Sequence, residues 1–124
     1  MLKTIAFVYG IVFVLIGVLG FIPAVSPSGM LFGMFHVNAM HNIVHLITGV
    51  IAFWTAMTSM QACKLFFQIF GVIYLIVAIL GFIAGDDNVL GVLANNMPDS
   101  WFHLLVAIVS LYAGFKLKAK KSSR

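Results

Sequence analysis

A chain of 124 residues that is 63% hydrophobic, 8% charged and +4 in formal net charge has too little polar surface to coat a water-soluble globule of its size. That composition calls for lipid as the solvent. The basic tail Lys116-Leu-Lys-Ala-Lys-Lys-Ser-Ser-Arg124 has no interleaved aromatic residues, so it reads as an anchor toward anionic lipid headgroups and not as a nucleic-acid site.

The first apolar run extends from Ile5 to Val25, close to the ~20 residues a helix needs to cross a bilayer. Lys3 before it and Ala24-Val25-Ser26 after it imitate a signal peptide, but the run is longer than a typical apolar signal core and Pro27 follows the cleavage-like position. A polar turn and a short apolar segment, Ser26 to Asn38, come next and read as a re-entrant or interfacial helix over the external end. The second run is Ala39 to Met57 and the third Leu65 to Ala84, with Cys63 and Lys64 in the loop between them. As the single cysteine, Cys63 has no partner for a disulfide within the chain. A second external connector, Gly85 to Asn96, is read likewise as a turn plus a re-entrant or interfacial helix and precedes a fourth run from Met97 to Phe115.

With four spans, Lys3, Lys64 and the tail share one side of the membrane, and the positive-inside rule makes that side cytoplasmic. Asp86, Asp87 and Asp99 all fall at the opposite face. The fold class expected is an all-α integral membrane protein, one transmembrane domain over residues 1–124, with both termini on the cytoplasmic side of a bacterial inner membrane.

The two halves also match each other. Val8 to Ile22 aligns without a gap on Ile69 to Ile83, so that Gly10 falls on Gly71, Gly17 on Ala78 and Gly20 on Gly81. After a connector shorter by three residues in the second half, Gly33 falls on Gly91, Asn38 on Asn96, His41 on Asp99, His45 on His103 and Gly49 on Ala107. The reading is a duplicated two-helix hairpin, about residues 5–57 and 65–115, related by a pseudo-two-fold axis along the membrane normal. The small residues should line close helix contacts, because helices in lipid associate by van der Waals packing.

Spacings of three, four and seven bring Asn38, His41 and His45 to one helix face, and Asn96, Asp99 and His103 to another. If both faces turn to the axis, His45 and His103 approach each other. The order of these elements, Val18-Leu-Gly-Phe-Ile22, then Asn38-Ala-Met-His-Asn-Ile-Val-His-Leu-Ile-Thr-Gly49, then Leu80-Gly-Phe82, Asn96, Asp99 and Phe102-His-Leu104, resembles a family of small bacterial four-span membrane proteins catalogued as a domain of unknown function. The resemblance implies the four-helix architecture and a polar signature at Asn38, His45, Asn96, Asp99 and His103, and it carries no activity. His36, Met30 and Met34 are not part of it.

Three readings of the polar residues compete. In the first they are structural: they satisfy helix N-terminal amides and hydrogen-bond between helices of a scaffold or accessory subunit. In the second, His41, His45, Asp99 and His103 bind zinc, iron or copper, with Asn38 and Asn96 orienting the ligands. Variants of it use His45 and His103 as axial ligands of a haem, with Gly10 and Gly71 leaving room for the macrocycle, or use Met34, Met40 and Met97 in copper(I) handling. The third is proton or ion transport, against which stands the nearly unbroken apolarity of the cytoplasmic halves, which carry almost nothing polar beyond Thr4, Thr55 and Gln68. A hydrolytic enzyme is disfavoured, since Ser100 and Ser110 have no visible activating arrangement. Lipid, a second copy of the chain and a larger membrane complex are the partners this sequence leaves open.

Overall fold

A computed structural model describes residues 1–118; Lys120, Lys121 and Arg124 of the basic tail lie outside the described residues. Four α-helices account for most of the chain: α1 (Leu2–Leu19), α2 (Ala39–Ala56), α3 (Met60–Ala84) and α4 (Met97–Phe115). Among the described residues, α1, α2 and α3 are long and apolar enough to cross a membrane. In α4 the polar first two turns, with Asp99, Ser100 and His103, dilute an otherwise apolar helix of 19 residues.

Three boundaries differ from the expected ones. The first helix stops at Leu19, short of Val25, and tight turns closed by Phe21 N to Val18 O and Ile22 N to Leu19 O take over. At the other hydrophobic boundary, α3 starts well before Leu65 because the Ser59 side chain accepts a hydrogen bond from Ala62 N at 3.0 Å and caps it. Cys63 and Lys64 therefore belong to the first turns of α3 and not to a loop; Cys63 is fully buried, and Lys64 Nζ donates to Leu117 O at 2.7 Å. The connector before α4 holds no α-helix, only a bridge between Val89 and Leu93, and neither does the connector before α2. The latter is a 3-10 turn, Pro27–Gly29, followed by a two-stranded antiparallel ribbon, β1 (Met30–Leu31) and β2 (Phe35–His36). Its reversal is tight enough to need left-handed backbone at Phe32 (φ 56) and Gly33 (φ 70), which an interfacial helix would not tolerate.

Each helix packs most extensively on its sequence neighbour, α1 on α2 and α3 on α4. Small residues permit the approach. A Cβ at Gly10 would meet the Phe53 ring at 2.8 Å, and one at Gly71 would meet Leu111 at 2.8 Å. Likewise, a Cβ at Gly20 would overlap the Asn42 side chain, and one at Gly81 would meet Ser100 Oγ. Between the helix pairs lies a core of aromatic and small side chains, with Leu2, Ala6, Phe66 and Phe67 toward the termini and Phe13, Tyr74, Val106 and Ala107 nearer the connectors.

The distribution of polarity is the inverse of a soluble protein's. Isoleucine, leucine, valine and phenylalanine side chains cover the outside, among them Phe7, Ile11, Leu15, Ile47, Ile76 and Ile108, while His41, Asn42, His45, Thr48, Asn95, Asp99, Ser100, His103 and Ser110 are buried. Such a surface is at home against acyl chains.

At Gly49 the contact is with backbone that cannot swing aside, because an added Cβ would lie 2.8 Å from the Val14 backbone nitrogen and 3.0 Å from Gly10 O. Gly49→Ala should therefore force α1 and α2 apart and lower stability by about 1–3 kcal/mol. Reversible unfolding in mixed micelles measures this, and an unchanged midpoint would contradict the packing described.

Candidate metal centre

The N-terminal ends of α2 and α4 begin alike. Asn38 caps α2, its Oδ1 accepting from His41 N at 2.9 Å; Asn96 caps α4, its Oδ1 accepting from Asp99 N at 3.1 Å. In α4 the arrangement is a full capping box, since Asp99 Oδ2 accepts in return from Asn96 N at 3.1 Å. The free amide end of each cap crosses to the opposite connector: Asn38 Nδ2 donates to Val92 O at 3.0 Å and Asn96 Nδ2 to Met34 O at 2.9 Å. These bonds fix where the first turns of α2 and α4 stand, and hence where their histidines go.

One turn further in, three histidines meet. His41 and His45 on α2 and His103 on α4 are all buried, and one ligand nitrogen of each lies within 4.8 Å of the others. The helical i, i+4 spacing brings His41 Nε2 to 3.1 Å from His45 Nε2. Ring centroids of His103 lie 5.4 Å from His41 and 5.8 Å from His45. Phe13 packs edge-on against His45 with centroids 5.3 Å apart, and Tyr74 flanks His103 at 5.6 Å. The Tyr74 hydroxyl is hydrogen-bonded to Thr48 Oγ1 at 2.9 Å, and Thr48 in turn donates to Val44 O, so that the ring beside His103 is fixed from behind.

The hydrogen-bond accounting of these rings does not close. His41 Nδ1, His45 Nδ1 and His103 Nδ1 are each buried without a partner among the described residues. A buried polar atom left unsatisfied costs on the order of 1–3 kcal/mol, so three in one place need a reason. Beside them is a cavity of about 30 Å³, lined by all three histidines together with Tyr74, Leu93 and Asn95.

Asp99, expected as a fourth ligand, is turned elsewhere. Its Oδ2 accepts from two backbone amides, Asn96 N and His36 N, the latter at 3.0 Å. The reason is local: as the third residue of α4 it closes the capping box, and the ribbon carrying His36 folds over it. Asn38 and Asn96 are engaged as helix caps and make no contact with the histidine rings among the hydrogen bonds found. A haem between His45 and His103 does not fit, since the adjoining cavity is far smaller than a macrocycle and the spaces above Gly10 and Gly71 are filled by Phe53 and Leu111.

Tyr74, Thr48 and Asn95 were not singled out by the sequence. Tyr74 aligns with Phe13 and so reads as an ordinary aromatic core position. Asn95 was overshadowed by its neighbour Asn96, although a second asparagine in so apolar a chain was a usable signal.

The family described as a domain of unknown function (DUF4383) matches residues 3–116. The chain belongs to this family. No curated protein and no solved structure was found to match it. Membership in DUF4383 thus brings no activity with it, and the chemistry of this member rests on its own residues.

Removing one cap tests how the centre is held. Asn96→Ala deletes both the N-cap acceptor and the bond to Met34 O, and should destabilise the protein by about 1–2 kcal/mol in thermal unfolding. A variant as stable as wild type would mean that these helix ends are held by other contacts.

Proposed function

We propose that this protein is an integral membrane protein that binds one transition-metal ion through His41, His45 and His103 at the external end of a four-helix bundle. The observation that carries the reading is the convergence of three buried histidines, each offering one ring nitrogen within 4.8 Å of the others. A metal ion would draw these nitrogens into one shell. Two nitrogens bound tetrahedrally to a zinc-like ion at about 2.0–2.1 Å would stand about 3.3 Å apart. The 3.1 Å separation of His41 Nε2 and His45 Nε2 is already close to that. Imidazole ligands suit zinc, copper and iron, and the cavity of about 30 Å³ is large enough for a water molecule as a fourth ligand.

The scaffold reading keeps part of its ground. Asn38, Asn96 and Asp99 work as caps and cross-links, so their polarity is accounted for structurally without a ligand. The division is between residues that build the outer end and histidines that use it.

The architecture belongs to the same proposal. Four spans arise from a duplicated hairpin, a reading supported by equivalent details at equivalent positions. Left-handed backbone recurs at Phe32 and Leu90 and at Gly33 and Gly91, the ribbon pair Leu31 with Phe35 has a counterpart in the bridge Val89 with Leu93, and the crossing bonds of Asn38 and Asn96 are reciprocal. Lys3, Lys64 and Lys116 then face the cytoplasm of a bacterial cell and the metal centre faces outward. Asp99 breaks the symmetry, standing where the first half has His41.

The test is metal content in mild detergent, with no contact with an immobilised-metal column. Wild type reconstituted with Co(II) should hold about one ion per chain and gain about 2.7 kcal/mol in stability at a hundredfold excess over its Kd. The His45→Ala/His103→Ala double variant should lose both the ion and the gain while remaining folded. Equal cobalt in both proteins, or no transition-metal ion in either, would contradict the reading.

A further inference from the structure

Outside the histidine triad lies an open surface pocket, about 310 Å³, lined by Met30, His36, Asp86, Asn95 and Asn96. The grooves along the helices are lined by apolar residues almost throughout, such as Val12, Phe13, Leu105 and Val109 in one of them. This pocket instead gathers a thioether, an imidazole and a carboxylate. Met30 and His36 are directly opposed partners in the β1 and β2 ribbon, which turns both side chains to the same face.

Two connections join the pocket to the triad. The ribbon is pinned to α4 by the bond from His36 N to Asp99 Oδ2, four residues before His103 on the same helix. Asn95 lines both this pocket and the triad's own cavity, so the two adjoin at its side chain. That side chain is 1% exposed and fastened, its Nδ2 donating to Gly81 O at 3.1 Å and Gly85 O at 2.8 Å.

The donor chemistry selects the ion. A thioether is a poor ligand for hard cations, and thioether with imidazole suits copper(I). The triad agrees on electrostatic grounds: three neutral imidazoles supply no negative charge, so a monovalent ion leaves one charge in the bundle where a divalent ion leaves two. Asp86, exposed at the mouth, adds attraction for a cation.

We propose that the outer pocket receives copper(I) on Met30 and His36 and passes it by Asn95 to the triad of His41, His45 and His103. The inference rests on the metal-binding reading of the triad. The ion keeps its oxidation state throughout: at each step one copper–ligand bond forms as another breaks, and no electron moves.

Anaerobic titration of the full chain in detergent with the copper(I) complex of bicinchoninate, followed by loss of its absorbance, measures both stoichiometry and rate. Wild type should take two equivalents. Met30→Leu/His36→Asn, which keeps the His36 backbone amide, should take one and fill it at least tenfold more slowly, while His45→Ala/His103→Ala should retain only the outer equivalent. A wild type that takes one equivalent, lost in the triad variant and filled at the same rate in the outer variant, would overturn the transfer route and leave the triad standing. No copper(I) in a wild type that still binds Co(II) would overturn copper as the ion; no ion of either kind would overturn the triad reading and this inference together.

Discussion

Two hydrogen bonds that cross between the helix pairs hold the outer end of this molecule together: Asn38 Nδ2 to Val92 O and Asn96 Nδ2 to Met34 O. Each asparagine also caps its own helix, so one side chain fixes where a helix begins and which connector lies over it. Because α2 and α4 carry all three clustered histidines, the geometry of the candidate metal centre descends from these two side chains. Both crossing bonds are exposed at the connector end, whereas deeper in the lipid-facing bundle no solvent satisfies polar groups that lose their partners.

The same scarcity of solvent explains the interior. With large apolar side chains on the outside, the space between helices is left to glycine, alanine, aromatic rings and a few polar groups, nearly all in closed local bonds such as Thr48 with Tyr74 or Ser110 with Val106 O. The unpartnered Nδ1 atoms of the three histidines are the main departure from that economy, joined by Asn42 Oδ1.

Much of this was legible in the sequence. Apolar runs announced the helices, and rare asparagines and histidines at helical spacing announced the polar outer ends. Hydropathy could not announce where helices stop, because capping and packing decide that: Ser59 extends α3 backward through Cys63 and Lys64, and α1 yields to turns at Gly20, where α2 brings Asn42 against it. Nor could spacing say that Asp99 would spend its carboxylate on backbone amides of its own helix and of the ribbon. A shared helix face fixes direction only; the partner a side chain finds there depends on a connector whose fold, a two-stranded ribbon with left-handed residues at its tip, leaves little mark in composition.

The central claim is that the three histidines act as ligands in a single shell. X-ray absorption at the metal edge of the loaded, detergent-solubilised protein addresses it most directly. The account predicts a low-coordinate shell of about three nitrogen scatterers near 2.0 Å, with the outer-shell pattern of rigid imidazole rings. A six-coordinate, oxygen-dominated shell without imidazole scattering would contradict it.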